Sequence, residues 1–243
     1  MKGKNIMENE KISYLLEKEK YDFEDLRTVM TVLRSENGCP WDREQDHHSI
    51  RSNLIEETYE VVEAIDTENP ALLREELGDL LFQIMFHAEL EAEKGCFNVD
   101  DVTDEICKKM ISRHPHVFGT VEADTTAQVL KNWDAIKTEE KQRLSLGDKL
   151  RAIPPMLPSL MRAAKVNKKA KVSEDASAEE LRKTLLTQVN SLSLQGGDQS
   201  VQNAQIGALL LTVIQLCEKM QVDAEESLQH STDDLIEKIA FQS

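Results

Sequence analysis

The chain has 243 residues with 29 basic and 45 acidic side chains, which gives a formal net charge of −16. Such an acidic surface argues against a nucleic-acid polymer or an anionic membrane as partner, although a divalent cation could still bring a nucleotide to it. The chain holds only 9 glycines and 6 prolines, too few for the many turns of a sheet-rich fold, so the composition predicts an all-α protein.

Helical periodicity and capping residues predict eight main helices. The first ends before a loop that reads ENGCPWDREQDHHS, and Pro70 can open the third because proline is well suited to the first turn of a helix. Gly95 and Pro115 mark two of the helix ends. The predicted helices span residues 21–35, 49–66, 70–94, 98–113, 126–143, 177–194, 199–221 and 224–240.

Three of the six prolines lie in the segment LRAIPPMLPSL, which predicts a domain boundary. We expect a loose polar leader over 1–21, a first helical domain over 22–144, a proline-rich linker over 145–158 and a second helical domain over 159–243. A weak internal repeat relates the two domains, since ELGDLLFQI at residue 76 resembles QIGALLLTV at residue 205. The second copy lacks the acids of the first.

The compartment is predicted from the cysteines and the N-terminus. The four cysteines are scattered without a CxxC pair, and the N-terminus lacks the apolar run of a secretory signal, which together indicate a reduced, cytoplasmic protein. The longest strongly apolar run, residues 206–217, is too short to span a bilayer. We therefore expect no membrane association.

Two of the predicted helices carry acids in positions where burial is expected. On a helical wheel, Glu57 falls on the apolar stripe of helix 49–66 and Glu60 at its edge, whereas Glu56 points further out. From Leu77 to Leu90, helix 70–94 is apolar almost all round, but the helix carries a narrow polar line of four side chains: Glu76, Asp79, Gln83 and His87. If the two helices pack antiparallel across their short loop, four carboxylates converge.

Converging carboxylates repel one another unless a cation lies between them. Oxygen ligands suit a hard divalent cation, so we expect Mg²⁺, with Mn²⁺ as a possible substitute. The competing interpretation is a solvated acidic face, because 30% of the chain is charged. A di-iron oxidase is disfavoured, since its Glu-x-x-His motif would need histidine where Glu60 and Asp79 stand.

Several motifs in order resemble the MazG-type nucleoside triphosphate pyrophosphohydrolases. They are GCPWDREQDHHS, EETYEVVEAI, EELGDLLFQIMFHAELEAEKGCF, RHPHVFG and WDAIK, and together they cover about residues 22–143. The resemblance implies an all-α helical-bundle catalytic domain that hydrolyses an NTP to NMP and pyrophosphate with Mg²⁺. It also implies assembly as a homodimer or a higher homo-oligomer.

The resemblance also implies a role for each residue of its motifs. Glu57, Glu60, Glu76 and Asp79 would be metal ligands, and Glu56 would bind or activate a water molecule. Lys109 and Arg113 would contact phosphates, while Trp133 would stack on the base and Lys137 would contact phosphate.

The second domain departs from the pattern, because its positions for the acids hold Thr187, Gln188, Ser191, Gln205 and Ala208. It is therefore expected to be a degenerate MazG-like repeat that packs or dimerises. A non-enzymatic helical interaction module remains an alternative for the whole chain, as does a base-specific pyrophosphatase for dUTP, dCTP or a modified nucleotide.

Overall fold

The computed structural model describes residues 6–140, 145–192 and 198–241, and within these ranges all regular elements are helices. Unit 1 (residues 1–136) and unit 2 (residues 137–243) are the two compact units of the chain. This division falls before the proline-rich segment rather than within it. The helices are α1 (Ile6–Glu17), α2 (Phe23–Arg34), α3 (Pro40–Glu44), α4 (Arg51–Asp66), α5 (Pro70–Ala92), α6 (Val99–Arg113), α7 (Pro115–Phe118), α8 (Thr126–Glu140), α9 (Leu146–Arg151), α10 (Ser159–Ala170), α11 (Ala178–Asn190), α12 (Gln199–Met220) and α13 (Ala224–Ala240).

Helix boundaries in unit 1 follow the local chemistry of the chain. Asn69 caps α5 by accepting hydrogen bonds from the backbone N–H groups of residues 71 and 72, and Pro70 occupies the first turn. Asn98 and Asp101 form a capping box at the start of α6. After α5, Gly95 adopts a φ of 71°, a left-handed conformation that costs glycine little.

The core of unit 1 is built around the C-terminal half of α5. Phe86 is 1% exposed and Met30 of α2 is fully buried, and they cluster with Ile50, Leu90 and Val99. The side chains of this core come from α2, from α5, from the start of α6 and from the residue that precedes α4. The N-terminal half of α5 packs on α4, and its outer apolar side chains remain exposed.

The segment predicted to be a loose leader contains α1, so that prediction is wrong for residues 6–17. Lys18 is held at 2.5 Å from Asp25, whose side chain is 2% exposed. The Tyr21 hydroxyl donates to the backbone carbonyl of Leu15, which is itself buried. The polar composition of 1–21 concealed this helix because its attachment depends on partners in α2.

Unit 2 repeats the helix pair at the centre of unit 1. In unit 1, α4 packs on α5, and in unit 2, α11 packs on α12. The offset of 129 residues that aligns the two sequence repeats also aligns the first residues of α5 and α12, Pro70 and Gln199. Gly78 and Gly207 are equivalent at this offset, and a Cβ at either would meet no atom within 4 Å.

The apolar run predicted to be too short for a membrane span belongs to α12, which has 22 residues. By length and composition alone α12 could cross a membrane, so helix length does not exclude it. It packs against α10 and α11, and core helices of water-soluble proteins have the same length and composition. The four cysteines, Cys39, Cys96, Cys107 and Cys217, are all free.

Candidate metal centre on the α4–α5 pair

Three carboxylates meet where α4 packs on α5. One oxygen of each of Glu57, Glu76 and Asp79 lies within 4.8 Å of the others. Glu60 lies close enough to Glu57 and Glu76 for its carboxyl group to raise the pKa of both. The structure therefore brings together the four acids that the helical wheels placed on facing stripes, and we call them the carboxylate cluster.

The electrostatics of the carboxylate cluster are those of crowded like charges. Burial, the hydrogen bond with Glu60 and repulsion from the other acids raise the pKa of Glu57. Burial and the negative charges of Glu60 and Asp79 likewise raise the pKa of Glu76. Each shift shows that the charged form is disfavoured where it stands. A divalent cation would remove that penalty, and four carboxyl groups supply the oxygen ligands that Mg²⁺, Mn²⁺ or Ca²⁺ prefer.

Glu56 lies outside this group. Its side chain is exposed, as is that of Glu63, while Glu57 and Glu60 are half-buried. The difference follows from the helix period, because neighbouring positions on α4 are separated by about 100°. Glu56 therefore points away from the packed face of α4 that carries Glu57 and Glu60.

The predicted basic and aromatic residues lie on α6 and α8. Arg113, half-buried, lies with its guanidinium carbon 5.5 Å from the Trp133 ring centroid, a distance typical of a cation–π contact. His114 meets the same ring edge to face at 4.9 Å. Lys109 is exposed on α6, and the side chain of Lys137 lies outside the described part of the chain. The structure thus groups Arg113 and His114 with Trp133.

The polar line of α5 continues beyond the carboxylate cluster as a chain of imidazoles. His47 Nδ1 is 2.8 Å from His87 Nδ1, and His47 Nε2 is 2.6 Å from Glu91 Oε1. Lys94 donates to the same Glu91 oxygen at 2.7 Å. The hydrogen bonds from Lys94 and His47 together lower the pKa of Glu91 to about 2. These contacts attach the loop before α4 to the C-terminal half of α5. The sequence indicated His87 through its place on the polar line, but nothing in it indicated His47 as its partner.

The all-α fold and the carboxylate cluster on the α4–α5 pair place this chain among helical proteins whose acidic side chains could hold a metal ion. Residues 45–118 match the family model described as the MazG nucleotide pyrophosphohydrolase domain. This range includes the carboxylate cluster, Lys109 and Arg113.

Full-length relatives extend the match over most of the chain. The chain is 36% identical over 218 residues to the nucleoside triphosphate pyrophosphohydrolase/pyrophosphatase MazG of Thermotoga maritima, covering 89% of this chain and 83% of that protein. It is 38% identical over 219 residues to the nucleoside triphosphate pyrophosphohydrolase of Escherichia coli K12, covering 86% and 82%. A Mycobacterium tuberculosis protein of the same name is 39% identical over 135 residues, or 55% and 41% of the two chains. The chain belongs to the MazG family.

Proposed function

We propose that this protein hydrolyses nucleoside triphosphates to the monophosphate and pyrophosphate, and that it uses Mg²⁺ held by the carboxylate cluster. The observation that carries the proposal is the approach of Glu57, Glu76 and Asp79 oxygens to within 4.8 Å on a pair of packed helices. The family match and the two relatives named for this reaction support it.

Each group of site residues has its own role in the proposed reaction. Glu57, Glu60, Glu76 and Asp79 hold the cation, which when bound lowers the pKa of a coordinated water and neutralises phosphate charge. Glu56 orients the attacking water and accepts its proton. Lys109 and Arg113 bind the phosphate oxygens and offset the charge on the departing pyrophosphate. Trp133 stacks on the base, and Lys137 adds a further phosphate contact.

The proposed hydrolysis consumes one water molecule for each nucleotide. The water oxygen forms a bond to the α-phosphorus, and the bond from that phosphorus to the α,β-bridging oxygen breaks. The products are the nucleoside monophosphate and pyrophosphate, and the proton of the water passes to solvent through Glu56. The protein contributes position and electrostatic stabilisation without a covalent intermediate.

A panel of eight NTPs and dNTPs, assayed for pyrophosphate with and without Mg²⁺, tests the proposed function. We expect metal-dependent release of pyrophosphate and monophosphate from several bases, because the metal and phosphate groups are common to all substrates. Activity on one base alone would indicate a base-specific pyrophosphatase. No turnover by a folded, metal-bound protein would contradict the proposal and favour the interaction module.

We also propose that residues 159–243 are a degenerate copy of the catalytic domain over 22–144, connected by the linker over 145–158. Gln205 and Ala208 stand where the first copy has Glu76 and Asp79. One amide and one methyl group in place of two carboxylates remove two negative charges and at least one oxygen ligand, which weakens the binding of a hard cation. The second copy therefore serves packing or assembly, in a cytoplasmic enzyme that needs neither a nucleic-acid polymer nor a membrane.

Self-association through the α4–α5 pair is proposed from its exposed apolar side chains. Six large side chains of this pair are at least 41% exposed, more than single scattered apolar residues require. A second copy of the chain would cover them, in a homodimer or a larger homo-oligomer. They are Ile55, Tyr59, Val62, Ile65, Leu77 and Ile84.

Ile65→Glu should convert the assembly to monomers, because Ile65 is 54% exposed in the isolated chain and a charge in a buried interface is costly. Light scattering coupled to size exclusion measures the mass directly. Leu130→Glu, at a 60% exposed position of α8, is the matched control and should leave the mass unchanged. A wild-type protein that is monomeric at micromolar concentration would contradict the assembly.

A further inference from the structure

Two buried side-chain atoms of the α5 polar line have no hydrogen-bond partner among the described residues. Gln83 is 7% exposed, and its Oε1 atom has no donor among the described residues. His87 Nε2 is likewise buried without a partner. A buried polar group that is left without a hydrogen bond is costly, so two of them one helical turn apart require an explanation.

The hydrogen bonds that join His87 to His47 and Glu91 determine whether His87 Nε2 is a donor or an acceptor. An ionised Glu91 only accepts, so His47 carries its proton on Nε2. In the arrangement with one proton on each ring, His47 accepts at Nδ1 from His87 Nδ1–H, which leaves His87 Nε2 as an acceptor. Burial, with the neighbouring His47, lowers the pKa of His87 and so favours its uncharged form. Among the described residues, Gln83 Oε1 and His87 Nε2 are then two acceptors, four positions apart on α5, that lack a donor.

The two acceptors lie next to the proposed phosphate site. Positions 79, 83 and 87 are separated by four residues each, so they share one face of α5 and are spaced about 6 Å along its axis. Asp79 belongs to the carboxylate cluster. A nucleotide whose phosphates lie at the cluster would therefore extend its nucleoside part along this face.

The degenerate copy supplies an internal comparison. At the offset of 129 residues, Thr212 and Leu216 of α12 replace Gln83 and His87, in the copy that has also lost the acids. Thr212 is buried like Gln83, but its hydroxyl donates to the backbone carbonyl of Ala208 in its own helix. Among the described residues, α12 therefore has no unpartnered acceptor at these two positions, although Asn167 Oδ1 and Gln188 Oε1 elsewhere in unit 2 are buried without a partner.

We infer that Gln83 and His87 accept hydrogen bonds from the exocyclic amino group of the nucleobase. This inference rests on the proposed function and adds a substrate preference to it. Adenine and cytosine carry such an amino donor, whereas thymine and uracil present a carbonyl oxygen in its place. An oxygen opposite two buried acceptors would leave all three groups unpaired, and sites built on hydrogen bonds reject such substrates strongly.

The sharpest test compares dCTP with dUTP, in which a carbonyl replaces the amino group of the base and the neighbouring ring nitrogen carries a hydrogen. Steady-state kcat and KM are measured for both at about pH 8. We expect wild-type protein to favour dCTP in kcat/KM by roughly tenfold or more. Gln83→Met and His87→Leu should each bring this ratio towards one while pyrophosphate release continues.

The controls separate base recognition from a structural role. Gln215→Met makes the same change on α12 and should leave the ratio as in wild type. Gln83→Asn retains an amide and should preserve part of the preference, and circular dichroism verifies the helix content of every variant. A wild-type dCTP/dUTP ratio near one would overturn the inference. An equal loss of kcat/KM on both substrates in the variants would also overturn it, because that is the result expected if a buried water molecule binds the two acceptors. No turnover of any nucleotide by wild-type protein would instead contradict the proposed function.

Discussion

Glu57→Gln and Asp79→Asn should each lower kcat/KM for NTP hydrolysis by about 10³-fold or more. Each change removes one charged ligand from the carboxylate cluster, and loss of several kcal/mol of transition-state stabilisation corresponds to at least this factor. The fold should survive, because the substitutions relieve repulsion that raises the pKa of Glu57. Steady-state pyrophosphate release measures the loss, and circular dichroism with thermal unfolding measures the fold.

Glu63→Gln is the matched control for the α4 acids. Glu63 is exposed on the same helix and lies outside the carboxylate cluster, so its neutralisation should change kcat/KM by less than about twofold. If Glu57→Gln retained activity near that of wild type, Glu57 would not belong to the site. An equal loss in Glu63→Gln would show that the general acidity of α4, rather than the cluster, supports the reaction.

Removal of the divalent cation with EDTA should stop hydrolysis, and addition of Mg²⁺ should restore it. Binding should also stabilise the fold, since a ligand at one hundred times its Kd contributes about 2.7 kcal/mol. For a chain of this size that corresponds to a rise of roughly 5 to 10 °C in Tm. Asp79→Asn should greatly reduce the rise, and the same experiment with Mn²⁺ shows which cation the site accepts. Full activity in EDTA would contradict a metal-dependent mechanism.

The stabilisation by Mg²⁺ should grow as the pH rises above 4.5, the usual pKa of a glutamate side chain. The pKa values of Glu57 and Glu76 are raised in the folded chain above their usual 4.5. The folded state therefore binds more protons than the unfolded state in this window, so without metal its stability falls as the pH rises. Binding of Mg²⁺ displaces those protons and offsets the repulsion. A pH-independent rise in Tm on adding Mg²⁺ would show that these carboxyls are not the ligands.

Local sequence signals located most helices because their determinants are short-range. Pro70 predicted the start of α5, and the predicted helix over 98–113 corresponds to α6. The short helices α3, α7 and α9 were missed, since four to six residues are too few to show a helical period. The 12-residue α10 was also absent from the predicted helices. The leader was misjudged for a different reason, because α1 is held by contacts with α2 that no periodicity within residues 1–21 reveals.

The candidate site was predictable to the extent that it depends on the helix period. One face of α4 and one of α5 had to carry Glu57, Glu60, Glu76 and Asp79, and antiparallel packing across a short loop was enough to bring them together. The partners of Trp133 were not predictable, because Arg113 and His114 reach it from another helix. Gln83 could be placed on the polar line but not recognised as unpartnered, since that depends on every atom around it.

The sequence by itself therefore determined the helical class, the internal repeat, the loss of acids from the second copy and the four residues that could form a cation site. These properties are set by residue identity and by spacing along a helix. Only the tertiary structure decided which groups have partners. It pairs His47 with His87 and Glu91, and within the described part of the chain it leaves the Gln83 oxygen without a donor and Glu56 outside the carboxylate cluster. Hydrogen bonding, burial and repulsion act through space, so they are known only once distant segments have been brought together.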